Sequence, residues 1–430
     1  MADLLGADLT VADIHKLYEC HERLLDHKKD LFTHLTAQWK DLFNAKFEVL
    51  LYDLTSTYFE SDPPFPEGDK RRHGYSRDKR SDCVQVVIAL IVTPEGFPLA
   101  YEVLAGNTSD KTTLADFLKK IEDQYGQAER IWVMDRGIPT EETLQAMRAA
   151  QPPVQYLVGT PRGRLTQYEK RLTEIPWQVA REGVAVKLLA EGEELYVLTE
   201  SKDRVNKERA MRRRQLKGLW KRLQQLQKME LKRDALLQKL GAALHEYPAG
   251  ARLVQTTVAA ETAKLSFTLN KDKLRQARKR EGRYLLRSNI TRGRAAAALW
   301  QFYIQLTEVE AAFKNLKGDL ALRPIYHQLE HRIEAHIFIS FLAYCLQVTL
   351  RRRLRDLAPG LTPRAVLEKF AALQMLDVHL PTTDERTVIL SRYTQPEKDV
   401  QMLLQRLKLE LPAQPPPKIT GSTPPGKPVL

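Results

Sequence analysis

Cysteine is scarce in this chain. Its three residues, Cys20, Cys83 and Cys345, lie far apart with no CxxC spacing, which argues against a disulfide framework and against a zinc site. No signal peptide is expected either, because Met1-Ala-Asp-Leu-Leu-Gly has no basic region followed by an apolar core. Long apolar runs are absent too. The most apolar stretch, Ile337 to Leu350, is interrupted by Gln347 and falls short of the roughly 20 residues a bilayer requires, so it reads as a buried helix of a soluble protein with no membrane partner. Acid is the minority charge, with 54 Asp and Glu against 67 Lys and Arg, a formal net charge of +13 and a pI near 9.4. That excess points to a polyanionic partner, nucleic acid first. The chain reads as cytosolic.

What is present is organised around one helix. From Leu299 to Lys317, the residues Leu299, Phe302, Leu306, Val309, Phe313 and Leu316 recur at steps of three and four and predict a single buried face. At about 100° per residue, Tyr303, Glu310 and Lys317 fall within roughly 40° of one another on the flank of that face. The helix therefore offers an aromatic, a carboxylate and a cation in a row, each about 10 Å from the next. Two apolar strands earlier in the chain run into acids: Phe47 to Asp53, and Arg130 to Asp135, the latter followed by Arg136-Gly137. Two strand-borne Asp residues and a helix-borne Glu can converge on one metal site.

In chain order, Thr10 to Ala45 reads as two charged helices without chemical features. A polar stretch after Ser61 carries Lys70-Arg-Arg-His-Gly-Tyr-Ser-Arg77-Asp-Lys79-Arg80; it is either a solvated loop or a phosphate-binding one beside Asp53. Cys83 to Thr93 and Phe97 to Leu104 form a hairpin about Pro94-Glu-Gly96. A helix from Thr112, the strand to Asp135, a helix from Thr140 and a strand from Val154 to Val158 follow. Three meandering strands followed by two βα units is the order of a ribonuclease-H-like domain, a mixed five-stranded sheet flanked by helices. Asp53 and Asp135 then lie side by side.

From 159 to 295 the pattern changes to an insertion of short strands bracketing one long helical segment, Arg204 to about Leu244. Between Arg204 and Lys239 there are 13 Lys or Arg against 3 Asp or Glu, so this segment is either a solvated or coiled arm or a DNA contact. His327 and His331 have a metal-compatible i, i+4 spacing but no HExxH pattern. The expected organisation is 1–45 helical, 46–158 and 296–358 catalytic, 159–295 insertion, 359–411 C-terminal, and 412–430 a disordered tail with seven prolines in nineteen residues.

The chain resembles the DDE transposases of bacterial insertion sequences, in the group with a Y-R-E-K signature and a β-rich insertion before its last acid. The resemblance runs from about Phe47 to Leu350. It rests on Tyr52-Asp53-Leu-Thr-Ser-Thr, Gly106-Asn-Thr-Ser-Asp110, Met134-Asp135-Arg-Gly-Ile138, and Tyr303 with Glu310 and Lys317. The signature Arg should fall on residue 306, which is Leu306 here, leaving its phosphate contact to Lys314 or absent. Only about 45 residues precede strand one, where such transposases carry a larger end-reading domain, so weak sequence discrimination is expected.

The resemblance implies two Mg²⁺ or Mn²⁺ ions held by Asp53, Asp135 and Glu310 and used for in-line phosphodiester displacement. It also implies phosphate contacts from Tyr303 and Lys317, with Arg77, Lys79, Arg80 and Arg136 nearby. The partners would be double-stranded DNA, as element ends and target, and a second copy in a homodimer on the bacterial nucleoid. Two alternatives remain open from sequence: a metal-dependent nuclease without strand transfer, and a non-enzymatic DNA-binding protein.

Overall fold

The computed structural model describes residues 14–109, 113–125, 129–384, 386–411 and 413–420, so Asp110 and the tail beyond Thr420 lie outside the described residues. The chain divides into two compact units, Lys46–Pro94 with Leu99–Ala311, and Met1–Ala45 with Glu95–Pro98 and Ala312–Leu430. The second begins with α1 (Ile14–Asp26) and α2 (Lys28–Phe43), which buries Phe32, Thr36 and Trp39.

The first unit is built on one sheet. Its opening strands are β1 (Val49–Phe59), β2 (Val84–Val92) and β3 (Pro98–Ala105). Every residue of β2 is buried, so the strand shows no polar alternation in sequence. Next come α3 (Leu114–Tyr125), β4 (Ile131–Met134), α4 (Glu141–Ala149) and β5 (Gln155–Gly159). Thr140 caps α4, its hydroxyl accepting from the Thr143 amide at 3.1 Å. β1 pairs antiparallel with β2 and parallel with β4, and β4 pairs parallel with β5. The order β3-β2-β1-β4-β5 is the ribonuclease-H-like order. Leu50, Tyr52, Ile91, Phe117, Trp132, Met134 and Tyr156 share its core.

The sheet continues past β5, where the sequence suggested a separate insertion. After α5 (Arg162–Glu174) come β6 (Gln178–Arg181), β7 (Val184–Glu191) and β8 (Glu194–Ser201). The chain then leaves through α6 (Lys202–Gln227), α7 (Arg233–Glu246), the short α8 (Pro248–Ala251), β9 (Val254–Val258), β10 (Leu265–Leu269) and α9 (Lys271–Lys279), and returns as β11 (Arg283–Ser288). The full order is β3-β2-β1-β4-β5-β11-β8-β7-β6, nine strands. β11 takes the edge that β5 would otherwise leave open, pairing Leu286 with Gly159 and Ser288 with Leu157. An ion network, buried at Arg287 and Glu194 and exposed at Glu141, fastens the seam: the Arg287 guanidinium donates to both oxygens of Glu194 at 2.7 Å and to Glu141 at 2.6 Å. Hydrogen bonds from Arg287 hold the Glu141 carboxyl down at about 2.

The basic segment expected as one helix is two. α6 and α7 are separated at 228–232 and fold against each other, Leu219, Leu223 and Leu226 meeting Leu236, Leu240 and Ala243 over β9 and β10. The leucine stripe thus finds its partner within the chain. Gly218 permits the close crossing, since a Cβ there would lie 2.3 Å from the Tyr247 ring. The helix over 299–317 is also two, α10 (Ala296–Ile304) and α11 (Leu306–Lys317), interrupted at Gln305, with Leu299, Val309, Phe313 and Leu316 buried as expected.

In the other unit, α12 (Glu330–Leu357) is 28 residues long, well beyond the apolar run 337–350, and by length and composition alone could cross a bilayer. Here Ile337, Phe338 and Phe341 are buried in protein, Tyr344 donates to the Gly96 carbonyl at 2.8 Å, and the Trp39 indole donates to Thr349 at 2.8 Å. α13 (Pro363–Phe370), β12 (Met375–Pro381), β13 (Thr387–Tyr393) and α14 (Lys398–Leu407) follow. Lys418–Thr420, within the stretch expected to be disordered, forms β14 on β13.

Candidate catalytic site

The site lies where β4 leaves the sheet. β1 and β4 run in register as far as Tyr52↔Met134, so the next residues, Asp53 and Asp135, stand on neighbouring chains just past the last paired positions. β1 continues along β2 to Phe59, whereas β4 ends and its chain turns through Asp135-Arg136-Gly137. The parting opens a cleft beside Asp53, and the junction of α10 and α11 closes one side of it. A cavity of about 190 Å³ remains, lined by Asp53, Asp135, Tyr303, Ile304, Leu306, Thr307 and Glu310.

The two aspartates are held differently. Asp53 accepts from the Leu54 amide at 2.8 Å, and burial raises its carboxyl to about 7, with Asp135 and Glu310 adding to the rise and the Leu54 amide and Arg77 opposing it. Asp135 accepts from the Arg136 amide at 2.7 Å and from the Tyr303 hydroxyl at 3.2 Å. Burial, then the charge of Asp135, pushes the Tyr303 phenol well above its ordinary value. Tyr303 can reach Asp135 because Gly159 has no side chain: a Cβ there would sit 2.5 Å from the Tyr303 hydroxyl and 3.3 Å from the Asp135 carboxylate. Among the described residues no three Asp, Glu, His or Cys side chains are gathered tightly enough to hold an ion, which applies to the acids of this cavity and to His327 and His331 alike. The acids line a common space without closing on it.

The cations expected around the site are divided. The Arg77 amide donates to Ser56 at 3.3 Å, and its charge acts on Asp53. Lys79 takes a left-handed φ of 61° in the turn. Arg80, expected on phosphate, is held instead by Asp82 at 2.9 Å and Glu60 at 3.0 Å and lies over the Tyr58 ring, so nearby acids already satisfy it. Arg71, from the same run, is buried on Asp69. Lys314 and Lys317 lie beyond Ala311, in the other unit.

Sequence reasoning missed a second cavity, about 330 Å³, that shares Asp135 and Tyr303 with the first and is lined by Arg136, Arg204, Arg283 and Tyr284. The Arg204 guanidinium lies 4.7 Å from the centre of the Tyr284 ring, and that ring is 6.1 Å from Tyr303. Arg204 opens α6 and Arg283 opens β11, positions that only the extended sheet brings to the site.

Paired aspartates at the parting of β1 and β4, in a sheet of this order, define a ribonuclease-H-like protein. The chain belongs to the transposase DDE domain family, which it matches over residues 44–346. No curated protein matches it. Among solved structures, it is similar to a piggyBac transposase in a synaptic complex with hairpin DNA, at 12% identity and a TM-score of 0.35 over 74% of this chain and 52% of that one. The chain thus spans about half the length of that protein.

Proposed function

We propose that the protein is a DDE transposase that cleaves double-stranded DNA at the ends of an insertion sequence and joins the freed ends to a target, acting as a homodimer on the bacterial nucleoid. The observation that carries this is the single cavity shared by Asp53, Asp135 and Glu310, with Tyr303 bonded to the second acid. The donor chemistry suits hard divalent cations: it is all oxygen, and burial, with Asp135 and Glu310 adding to it, keeps Asp53 from ionising readily alone. Mg²⁺ or Mn²⁺ bound by these three residues, as two ions, would supply stabilisation of charge on the phosphate oxygens. The chain's own groups do the rest. Tyr303 and the Arg136 amide fix the direction of Asp135, Gly159 leaves room for that contact, and Arg136 offers the neighbouring cavity to the strand's phosphates, with Arg283 held by Glu200 at 2.6 Å and Arg204 by Glu208 at 3.3 Å along its wall.

A joining assay tests the reading against the nuclease alternative. Linear duplex carrying the element's inverted repeats is incubated with the protein, Mg²⁺ and supercoiled plasmid. Covalent insertion products are expected; nicked or shortened duplex without any insertion would leave hydrolysis as the activity.

Two smaller effects follow. Gly159→Ala should displace the Tyr303 hydroxyl and lower the cleavage rate about tenfold, the scale of one lost positioning hydrogen bond. Gly163→Ala, where a Cβ meets nothing within 4 Å, should leave the rate unchanged. On α6, Arg212 is taken up by the buried Glu281, so the exposed Arg213, Arg214, Lys217 and Lys221 are the ones proposed to reach DNA. Changing these four to Gln should weaken binding to any duplex and reduce the slope of log K against log salt by about 0.9 for each phosphate no longer neutralised. An unchanged slope would remove the helix from the DNA interface.

A further inference from the structure

The unit that holds α12 ends in a small antiparallel sheet, β12-β13-β14, with β12 at its edge. From Leu376 to Pro381 every residue of β12 is exposed. Among the described residues no strand pairs with its outer side. Gln374 and Thr394 bond to each other across the β12–β13 hairpin at one end, and Thr382 and Arg386 do so at the other. Alternation along an antiparallel ladder then assigns the even-numbered residues' amides and carbonyls to β13, and those of Asp377 and His379 to the open side.

The strand's sequence is self-complementary about Val378. One residue to either side stand Asp377 and His379, and two residues to either side stand Leu376 and Leu380. In an antiparallel pair centred on Val378, Asp377 therefore faces His379 of a second copy, Leu376 faces Leu380, and Val378 faces itself. The residues with outward amides become the ones that exchange hydrogen bonds. Other registers are worse. A shift of two residues opposes Asp377 to Asp377 or His379 to His379, and a shift of one sets the apolar face against the polar one. Leu376, Val378 and Leu380, at 53%, 45% and 45% exposure, lie on one face with Ile419 at 60%, so the pairing also extends that apolar face across both copies. Edge strands that guard against association present like charges or bulges; this one sets an acid against an imidazole in a twofold pattern and has no bulge in its register.

We propose that two copies of this chain associate edge to edge through β12, Asp377 of each on His379 of the other, forming one continuous sheet about a twofold axis. The pairing stands on this strand alone, independent of the chemistry assigned to the acids.

The full chain is examined without DNA by sedimentation velocity over a concentration series. A reversible dimer is expected for the wild type. His379→Asp opposes two carboxylates and should weaken the dimer at least tenfold, whereas His379→Lys sets a cation against Asp377 and should retain it; neither change touches the Ser391–Asp377 hydrogen bond of 2.6 Å. Asp377→Lys should also weaken the dimer, and an equimolar mixture of Asp377→Lys with His379→Asp should form a heterodimer, since one cross-strand pair is then a lysine with an aspartate and the other the original Asp377 with His379. An undiminished dimer in His379→Asp, loss of the dimer in His379→Lys, or a wild type that stays monomeric at all concentrations would overturn the proposal.

Discussion

Asp53→Asn, Asp135→Asn and Glu310→Gln should each lower cleavage and joining by at least about a hundredfold while leaving the folded structure intact. Each substitution keeps the size of the side chain and its hydrogen-bonding capacity but removes one unit of charge from the cavity the three share. Loss of charge would weaken the cation binding proposed for these residues, and with it the charge stabilisation that a bound divalent ion would supply at the phosphate oxygens. Glu308 provides the internal control. It lies two residues before Glu310, about 200° around the helix, and does not line the cavity. Cleavage rates of Glu308→Gln should stay within a few-fold of wild type, with circular dichroism melts verifying all four variants. If Glu308→Gln abolished cleavage and Glu310→Gln did not, the helix would present its other acid and the assignment would be wrong.

The second large effect concerns stability. A carboxyl raised from 3.8 to about 7 binds its proton more tightly folded than unfolded. Its favourable contribution is fully present below about pH 3.8 and is lost as the pH rises through about 7. A shift of that size corresponds to roughly 4 kcal/mol. In EDTA, urea unfolding should therefore report a protein markedly less stable at pH 8 than at pH 5. Asp53→Asn should flatten this difference, and millimolar Mg²⁺ should restore stability at pH 8 in the wild type only. An equal loss between pH 5 and 8 in Asp53→Asn would place its origin elsewhere in the protein.

That the three acids face one cavity was readable from sequence because β1 and β4 are apolar runs that reach Asp53 and Asp135, and because Glu310 flanks a stripe that is buried at Leu299, Val309 and Leu316. The order of the first five strands was readable for the same reason. What escaped was set by long-range pairing. β6 is polar and largely exposed, so Gln178–Arg181 carries no apolar signal, and β11 joins β5 across the 123 residues that lie between Gly159 and Arg283. Nothing local shows that Gly159 faces Tyr303, that Glu60 and Asp82 take Arg80, or that Lys228 to Lys232 interrupts a strongly helical segment. β14 was hidden because proline-rich composition predicts disorder, yet Lys418–Thr420 lies after the last proline of its cluster and is free to pair.

The amide of Ser201 donates to the carbonyl of Gly282 at 3.1 Å, and Glu200 pairs with Arg283 across β8 and β11. Everything between them, including the basic α6 and its own small core, therefore leaves the sheet and returns to it at a single point. Such a lobe behaves as a cassette. A tight turn could replace it and leave β8 and β11 adjacent, and a longer or differently charged lobe could be grafted at the same place, since each doubling of a connection's length costs only about 0.6 kcal/mol in closure. The extent of the basic surface can thus be lengthened, shortened or exchanged without moving the strands that carry Asp53 and Asp135.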